Sequence, residues 1–262
     1  MTVRNELTKS ESLLFSVEER NRIRDRVLEI ASSDGRIVSG AVVGSMALSE
    51  GDRFSDLDLT FGVVDEFSID NVLEDWTRQI IEEFDAAQLF DVASGASIYR
   101  VFLLPGCLQF DLSFTPASKF GAIGPKFKLL FGDAVEKPYL PTQSAAELFG
   151  YAVHHALRAR FCIERGRYWQ AEYWISSLRD YALSIACHRH SLPVSYARGF
   201  DHLPAEVLEP FKSGLVASLE RLELLRALKV VIDGLIRESV EVQEIGNKVE
   251  PQLRLLTREW NI

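Results

Sequence analysis

Apolar residues in the first 115 positions follow two different spacings. A helical spacing after the Ser16–Glu19 pair, which is typical of a capping box, predicts a helix over 17–32, and a similar pattern predicts a second helix over 69–84. Between and after these helices, short β-branched or alternating runs indicate strands. The four runs are "RIVSGAVVG", "DLDLTFGVV", "SIYRVFLL" and "CLQFDLSF", the last two joined by a turn at Pro105-Gly106.

The pattern changes in the second half of the chain. Glycine and proline punctuate a connecting region after Phe114, and from Ser144 onward no stretch has a strand pattern. Two helical stripes replace it, formed by Ala171, Trp174, Ile175, Leu178, Ala182 and Ile185 and by Leu222, Leu225, Leu228, Ile232 and Leu235. We therefore predict an α+β protein, with a small mixed sheet and helices in 1–140 and an all-helical domain in 141–262.

Composition narrows the class of partner. The 262 residues are 47% hydrophobic and 26% charged, as in globular proteins, with a net charge of −9. An acidic chain repels phosphate backbones, so a nucleic-acid partner is not expected. The three cysteines are scattered, which indicates free thiols in a reducing compartment. With a polar N-terminus and no run of about 20 apolar residues, we expect a cytoplasmic protein without a membrane partner.

Acidic side chains interrupt two of the predicted strands. Because side chains alternate along a strand, Asp56 and Asp58 lie on one face of "DLDLTFGVV", and Asp111 occupies the same kind of position in "CLQFDLSF". Like charges this close cost free energy unless a cation lies between them. If the strands are neighbours, the three carboxylates form a cluster that can hold two divalent ions, the arrangement used for phosphoryl or nucleotidyl displacement.

The Gly44-Ser45 pair at the end of the first strand adds a second component. Glycine lets the backbone approach a phosphate closely, and a short helix starting there would turn backbone N–H groups and the Ser45 hydroxyl toward an anion. Carboxylates for a metal and amides for phosphates are the two requirements of a site for a nucleoside triphosphate.

The arrangement G-S-x10-D-x-D followed by a later strand aspartate resembles the DNA polymerase β-type nucleotidyltransferase superfamily. With the helical second half, it is similar to the stand-alone bacterial aminoglycoside and lincosamide nucleotidyltransferases. The resemblance implies a polymerase β-like catalytic domain over 1–140 and a nucleoside triphosphate, ATP by expectation, that binds at Gly44, Ser45, Asp56 and Asp58. It also implies two Mg²⁺ ions: Asp56 and Asp58 hold one, and Asp111 either ligates the second or acts as general base.

The acceptor side is assigned to the helical half. Glu147, His154 and Arg158 share a helix face by their spacing and are candidates for the acceptor pocket, with Glu147 as a rival base. The alternative is a solvated polar face. Trp169 and Trp174 are expected in the core, with an aromatic wall for a ligand ring as the alternative. The acceptor expected from the resemblance is a small-molecule hydroxyl, and the acidic balance fits a cationic one. A homodimer is compatible with the helical half.

One departure from the family and two other functions stay open. Many relatives carry an arginine soon after Gly-Ser, whereas Leu48 follows Ala47 here, so Arg53, Lys126 and Lys128 are the candidates for a triphosphate contact. Nucleotidyl transfer to a protein or RNA acceptor, as in toxin–antitoxin systems, is one alternative function. A catalytically inactive nucleotide-binding relative is the other.

Overall fold

The computed structural model describes residues 14–48, 51–139 and 141–259. The chain divides into two compact units, 1–140 and 141–262. The described part of the first contains a six-stranded mixed sheet and two α-helices, and the described part of the second contains helices and their connecting segments without a strand. The predicted α+β class, with the sheet preceding the helical region, is confirmed.

The sheet of the first unit has the strand order β3-β4-β5-β2-β1-β6. Strands β2 and β5 run parallel in the middle of the sheet, and every other neighbouring pair is antiparallel. The elements are α1 (Val17–Ser33), β1 (Ile37–Val43), β2 (Leu57–Val63), α2 (Ile69–Phe84), β3 (Ala87–Ser94), β4 (Ser97–Leu104), β5 (Leu108–Pro116) and β6 (Phe127–Phe131).

The two helices pack on one face of this sheet. Alternate side chains of the two central strands point to the helices and are fully buried: Leu57, Leu59, Phe61 and Val63 of β2, and Leu108, Phe110, Leu112 and Phe114 of β5. They join one core with Val27 of α1 and Trp76 of α2. Because the side-chain period of a strand is two, the polar residues between them are directed to the opposite face.

Two strands lie outside the sequence prediction. The β3 segment was not predicted, and β6 lies in the region expected to be a connection. Both are edge strands. Every residue of β3 is exposed, and Phe90 and Val92 are about half exposed, so this strand lacks the buried face that makes an alternating pattern recognisable. The predicted turn at Pro105-Gly106 is observed, with Gly106 at φ 75°.

The helical unit consists of five helices in its described part. They are α3 (Ala145–Glu164), α4 (Tyr168–Arg189), α5 (Ala205–Lys212), α6 (Arg221–Glu238) and α7 (Gln243–Leu255). The α4 stripe packs as expected, with Ile175, Leu178 and Ile185 fully buried.

Two hydrophobic positions of this unit were predicted wrongly. Three residues of the predicted α6 stripe, Leu228, Ile232 and Leu235, are fully buried as expected. Leu222 is 75% exposed, and Leu224 is the buried residue of the first helical turn instead. Trp169 was expected in the core and is 79% exposed, whereas Trp174 is partly buried and packs against the core of the helical unit. Amphipathic spacing therefore located the helices but not their first turns.

None of the described helices combines the length and the apolar composition that a membrane span requires.

Candidate functional site

The parallel pairing of β2 and β5 brings the strand acids together. Asp58 lies directly opposite Asp111 in the register, between the pairs Leu57–Phe110 and Leu59–Leu112. Asp56 lies one residue before β2 begins. Each of the three aspartates offers a carboxylate oxygen, and these oxygens all lie within 4.8 Å of one another. Two sequence-distant strands thus form a cluster of three partly buried carboxylates.

The electrostatics of the cluster follow from its burial and its like charges. Desolvation raises the pKa of Asp111 above its usual value, and the neighbouring charge of Asp56 raises it further. A hydrogen bond acts in the opposite direction, since Gln109 Nε2 donates to Asp111 Oδ1 over 2.9 Å. The cluster is therefore destabilised as long as its charges are not compensated, and a cation bound among the oxygens would relieve this.

The polar face continues behind the acids. The Ser113 hydroxyl donates to Thr60 Oγ1 over 2.8 Å, and both residues are buried. Thr60 and Ser113 are also paired in the register, two residues further along their strands than the acids. This hydrogen bond links the side chains of β2 and β5, so the two strands that carry Asp58 and Asp111 are fixed to each other by more than the backbone ladder.

The Gly44-Ser45 bend lies directly beside Asp58, one of the three acids of the cluster. It begins a 3₁₀ turn over Gly44–Leu48, and Gly44 has φ 70°, in the left-handed region. A Cβ atom on Gly44 would lie 2.3 Å from Asp58 Oδ2. The sequence suggested a glycine that lets a phosphate approach. The structure adds that the Asp58 carboxylate itself occupies the space beside it, a contact that no sequence pattern indicated.

Ser45 presents an unpaired hydroxyl. Its Oγ is shielded from solvent and has no hydrogen-bond partner within the described residues, and buried hydroxyls are ordinarily paired. An orphaned donor beside three carboxylates fits the oxygen of a bound anion, and the carboxylates fit the oxygen-ligand preference of Mg²⁺. The residues present therefore fit a complex of a divalent cation with a phosphate group.

The three cations proposed for the triphosphate lie in different settings. Arg53 is exposed, and its guanidinium lies 5.4 Å from the centroid of the Phe54 ring. Lys126 accepts a hydrogen bond from the Gly44 N–H through its carbonyl oxygen, over 3.2 Å, so its backbone lies beside the bend. Lys128 is an exposed residue of β6 opposite Val42. Lys126 is therefore joined to the Gly-Ser bend by a direct hydrogen bond.

The acceptor-side candidates all lie exposed on α3. Ser144 and Glu147 form a capping box, in which the Glu147 carboxylate accepts from the Ser144 N–H over 2.8 Å. These hydrogen bonds lower the pKa of Glu147, which makes it a weaker base. His154 lies 6.1 Å from the Trp174 ring centroid, edge-on, and the Arg158 guanidinium lies 6.0 Å from it. The structure brings His154 and Arg158 to one indole ring and gives Glu147 a capping role.

An aromatic cluster around Trp174 includes His155 and Tyr181, which the sequence pattern did not single out. His155 packs 4.7 Å from the Trp174 ring and 5.0 Å from the Tyr181 ring, and Tyr181 stacks on Tyr151 at 5.4 Å. Burial lowers the pKa of His155, which favours its neutral form. The signal was available, because Tyr151 and His155 are four residues apart on one helix and Trp174 and Tyr181 are seven apart on the next.

Comparison with known proteins gives matches among solved structures alone. No protein-family model matches the chain, and no curated protein matches it at a significant level. Among solved structures, the chain is similar to an aminoglycoside 6-adenyltransferase from Bacillus subtilis, with 14% sequence identity, 94% of this chain and 100% of that chain covered, and a TM-score of 0.40. That protein is of the class that the sequence motif resembles.

Proposed function

We propose that this protein is a Mg²⁺-dependent nucleotidyltransferase. It moves a nucleoside monophosphate, AMP by expectation, from a nucleoside triphosphate to a hydroxyl group of a small molecule and releases pyrophosphate. The observation that carries the proposal is the register of β2 and β5, which sets Asp58 opposite Asp111, with a carboxylate oxygen of Asp56 in reach of both. The adjoining bend adds the unpaired hydroxyl of Ser45. Catalysis of this transfer requires a site for divalent cations beside a site for phosphates.

Asp56 and Asp58 are the residues that would hold the cation of the nucleotide complex. Both carboxylates are partly buried, and each has an oxygen within 4.8 Å of the other two in the cluster. When bound, divalent cations neutralise the triphosphate and stabilise both the attacking and the leaving oxygen of an in-line displacement. The protein contributes the fixed spacing of its carboxylates, which the β2–β5 ladder sets for Asp58 and Asp111.

Asp111 is either the ligand of a second cation or the proton acceptor. As a base, its carboxylate takes the proton of the acceptor hydroxyl while the hydroxyl oxygen bonds to the α-phosphorus. The bond from that phosphorus to the bridging oxygen then breaks, and pyrophosphate leaves with both electrons. The raised pKa of Asp111 supports this role, because it makes the carboxylate a better proton acceptor than an exposed aspartate.

The Gly44-Ser45 bend would hold the phosphates of the nucleotide. The Ser45 hydroxyl is already shielded and unpaired, so donating to a phosphate oxygen costs it no existing hydrogen bond. Gly44 keeps the bend in contact with Asp58, which couples the phosphate-binding and cation-binding parts of the site. A side chain at position 44 would separate them.

The acceptor is proposed to be an aminoglycoside- or lincosamide-like molecule, a proposal that rests on the sequence resemblance. His154 and Arg158 beside Trp174 remain the candidates on the acceptor side, since they form one exposed cluster on α3 and α4. Glu147 is the weaker candidate, because its carboxylate is engaged in the helix cap.

The test is acceptor-dependent release of pyrophosphate. The full chain is incubated with Mg²⁺ and each of the four nucleoside triphosphates, against a panel of aminoglycosides, lincosamides and simple polyols. We expect release with one acceptor class, lost in Asp58→Asn and retained in Asp25→Asn, a matched change of an exposed aspartate on α1. Equal turnover in Asp58→Asn and the wild-type protein would contradict the assignment of the site.

A negative panel has its own interpretation. If no acceptor supports release while Mg²⁺ and a nucleotide together still stabilise the wild-type protein, the small-molecule acceptor is refuted and a protein or RNA acceptor takes its place. If no nucleotide stabilises the protein either, the proposed activity as a whole is wrong.

A further inference from the structure

Arg20 is a buried cation that the site described above does not use. It lies in the first turn of α1 and is only 3% exposed. Its Nη1 donates to two backbone oxygens, Asp52 O at 2.8 Å and Ser55 O at 2.6 Å. One guanidinium nitrogen thus joins both ends of a four-residue turn to the helix, and its Nε has no partner within the described residues.

The turn that Arg20 holds has its own internal hydrogen bonds. The Asp52 N–H donates to Ser55 Oγ over 2.9 Å, and the Phe54 N–H donates to Asp52 Oδ1 over 2.8 Å. The Ser55 hydroxyl in turn donates to Asp52 Oδ1 over 3.2 Å. The segment is therefore one compact turn, and the carbonyl group of Ser55 belongs to the peptide bond that leads into Asp56.

The three carboxylates of the cluster are fixed in two different ways. Asp58 and Asp111 are paired residues of a parallel ladder, so the sheet itself sets their separation. Asp56 precedes the first residue of β2 and has no place in that ladder. The turn before it and the peptide bond to Leu57 after it determine where its carboxylate lies, and repulsion from the other two acids acts to push it away.

Building on the proposed function, we propose that Arg20 is a positioning residue for the cation site. By binding the carbonyl oxygens of Asp52 and Ser55, it fixes the turn and holds Asp56 within reach of Asp58 and Asp111. It touches neither nucleotide nor acceptor. Partners that orient metal ligands in this way typically change metal affinity by about 10- to 100-fold when they are removed.

The experiment measures cation binding directly, without turnover. Arg20→Met keeps the apolar stem and removes the donors, and Ser55→Ala loosens the same turn independently. Arg24→Met is the control, since within the described part of the chain the Arg24 guanidinium donates only to its neighbours Asn21 and Asp25 on α1. Mn²⁺ affinity of the full chain is measured by calorimetry without nucleotide. Hydrogen exchange of the backbone amides in 52–56 is followed in the same variants.

We expect Arg20→Met to lower Mn²⁺ affinity by about tenfold or more and to speed exchange in the turn, and Arg24→Met to change neither. Ser55→Ala should weaken Mn²⁺ binding as well. The double variant of Arg20 and Ser55 should lose less than the sum of the single losses, because both act through one turn. Arg20→Lys, which keeps a cation without the planar fork, should recover part of the affinity.

Two results would overturn the proposal. One is wild-type Mn²⁺ affinity in a folded Arg20→Met variant, including a variant that only melts earlier. The other is strict additivity of the two single changes. If Arg20→Met does not fold, Ser55→Ala alone decides, and unchanged affinity there refutes the role of the turn. If the wild-type chain binds Mn²⁺ but transfers no nucleotide, the proposed activity fails while the role of Arg20 is still decided.

Discussion

The substitution Asp58→Asn tests the charge balance of the site, because it should raise the stability of the protein without Mg²⁺ and lower it with Mg²⁺. Asp58 faces both other carboxylates, with oxygens within 4.8 Å. Two unit charges at that distance repel by about 1 kcal/mol in bulk water and by about 3.5 kcal/mol at an effective dielectric constant of 20. Because all three residues are only partly buried, we take the lower value for each of the two pairs that Asp58 forms. Relief of both repulsions in Asp58→Asn is expected to stabilise the cation-free protein by about 2 kcal/mol.

With Mg²⁺ present the order should reverse. A ligand at 100 times its dissociation constant stabilises the folded wild-type protein by about 2.7 kcal/mol, and the variant should lose most of this gain. In thermal unfolding, we expect the variant to melt about 6 °C above the wild-type protein in EDTA and below it in saturating Mg²⁺. The Asp25→Asn control should follow the wild-type protein in both solutions.

The reasoning fails if the two melting curves keep the same order with and without Mg²⁺. A variant that is less stable in EDTA would mean that attraction to other groups, rather than repulsion among the carboxylates, dominates at position 58. A variant that gains as much from Mg²⁺ as the wild-type protein would mean that the cation binds elsewhere.

Four further changes test single features of the two units. Gly44→Ala places a Cβ atom 2.3 Å from Asp58 Oδ2 at φ 70°, so we expect a loss of about 1–2 kcal/mol from backbone strain and weaker Mn²⁺ binding, measured by urea unfolding and calorimetry. Ser45→Ala should leave the melting temperature unchanged, since the hydroxyl has no partner in the described part of the chain, and should raise the dissociation constant of the magnesium–nucleotide complex roughly tenfold. The pKa of Asp111 is raised in the folded protein, so protonated Asp111 stabilises the fold below the usual pKa of 3.8, and this stabilisation is lost as the pH rises through the folded-state pKa. In EDTA, Asp111→Asn should therefore remove this decline from the pH dependence of the free energy of unfolding. Glu147→Ala should lower the melting temperature of the protein at neutral pH, because it removes the side chain that caps α3, and should leave the rate of pyrophosphate release unchanged; a large loss of rate would support Glu147 as the rival base.

The sequence alone predicted which acids project from the strands because strand alternation is a local property. The position of Asp58 between Leu57 and Leu59 already puts this acid on the opposite face of β2, whatever the rest of the chain does. Asp56, predicted on the same strand face, precedes the first residue of β2 in the structure, so the turn before it also sets its place. The same argument placed Asp111 on the polar face of its own strand. The helical second half was equally accessible, because amphipathic spacing over 20 residues is a strong signal.

Edge strands and helix ends were predicted less well, for a physical reason. The β3 strand is exposed on both faces, so burial imposes no alternation on its sequence, and β6 has only five residues between glycine- and proline-rich segments. Leu222, at the start of α6, matched the spacing of the buried stripe but lies in solvent. Whether a side chain at a helix end is buried depends on segments that pack against it from elsewhere in the chain, and the spacing of apolar residues within the helix carries no information about those segments.

The sequence by itself determined which residues share a face: the paired acids, the Gly-Ser bend that follows β1 and the apolar stripes of the helices. Only the tertiary structure decided which faces meet. Asp58 and Asp111 are separated by 53 positions, and their adjacency depends on β5 inserting between β4 and β2 as a parallel neighbour, a choice made by the packing of the whole sheet. Tertiary packing also brings Gly44 beside Asp58. It likewise places Arg20 where it donates hydrogen bonds to the turn before Asp56. Periodicity is set by the geometry of one element, whereas a site is assembled from several elements whose relative order carries no local signal.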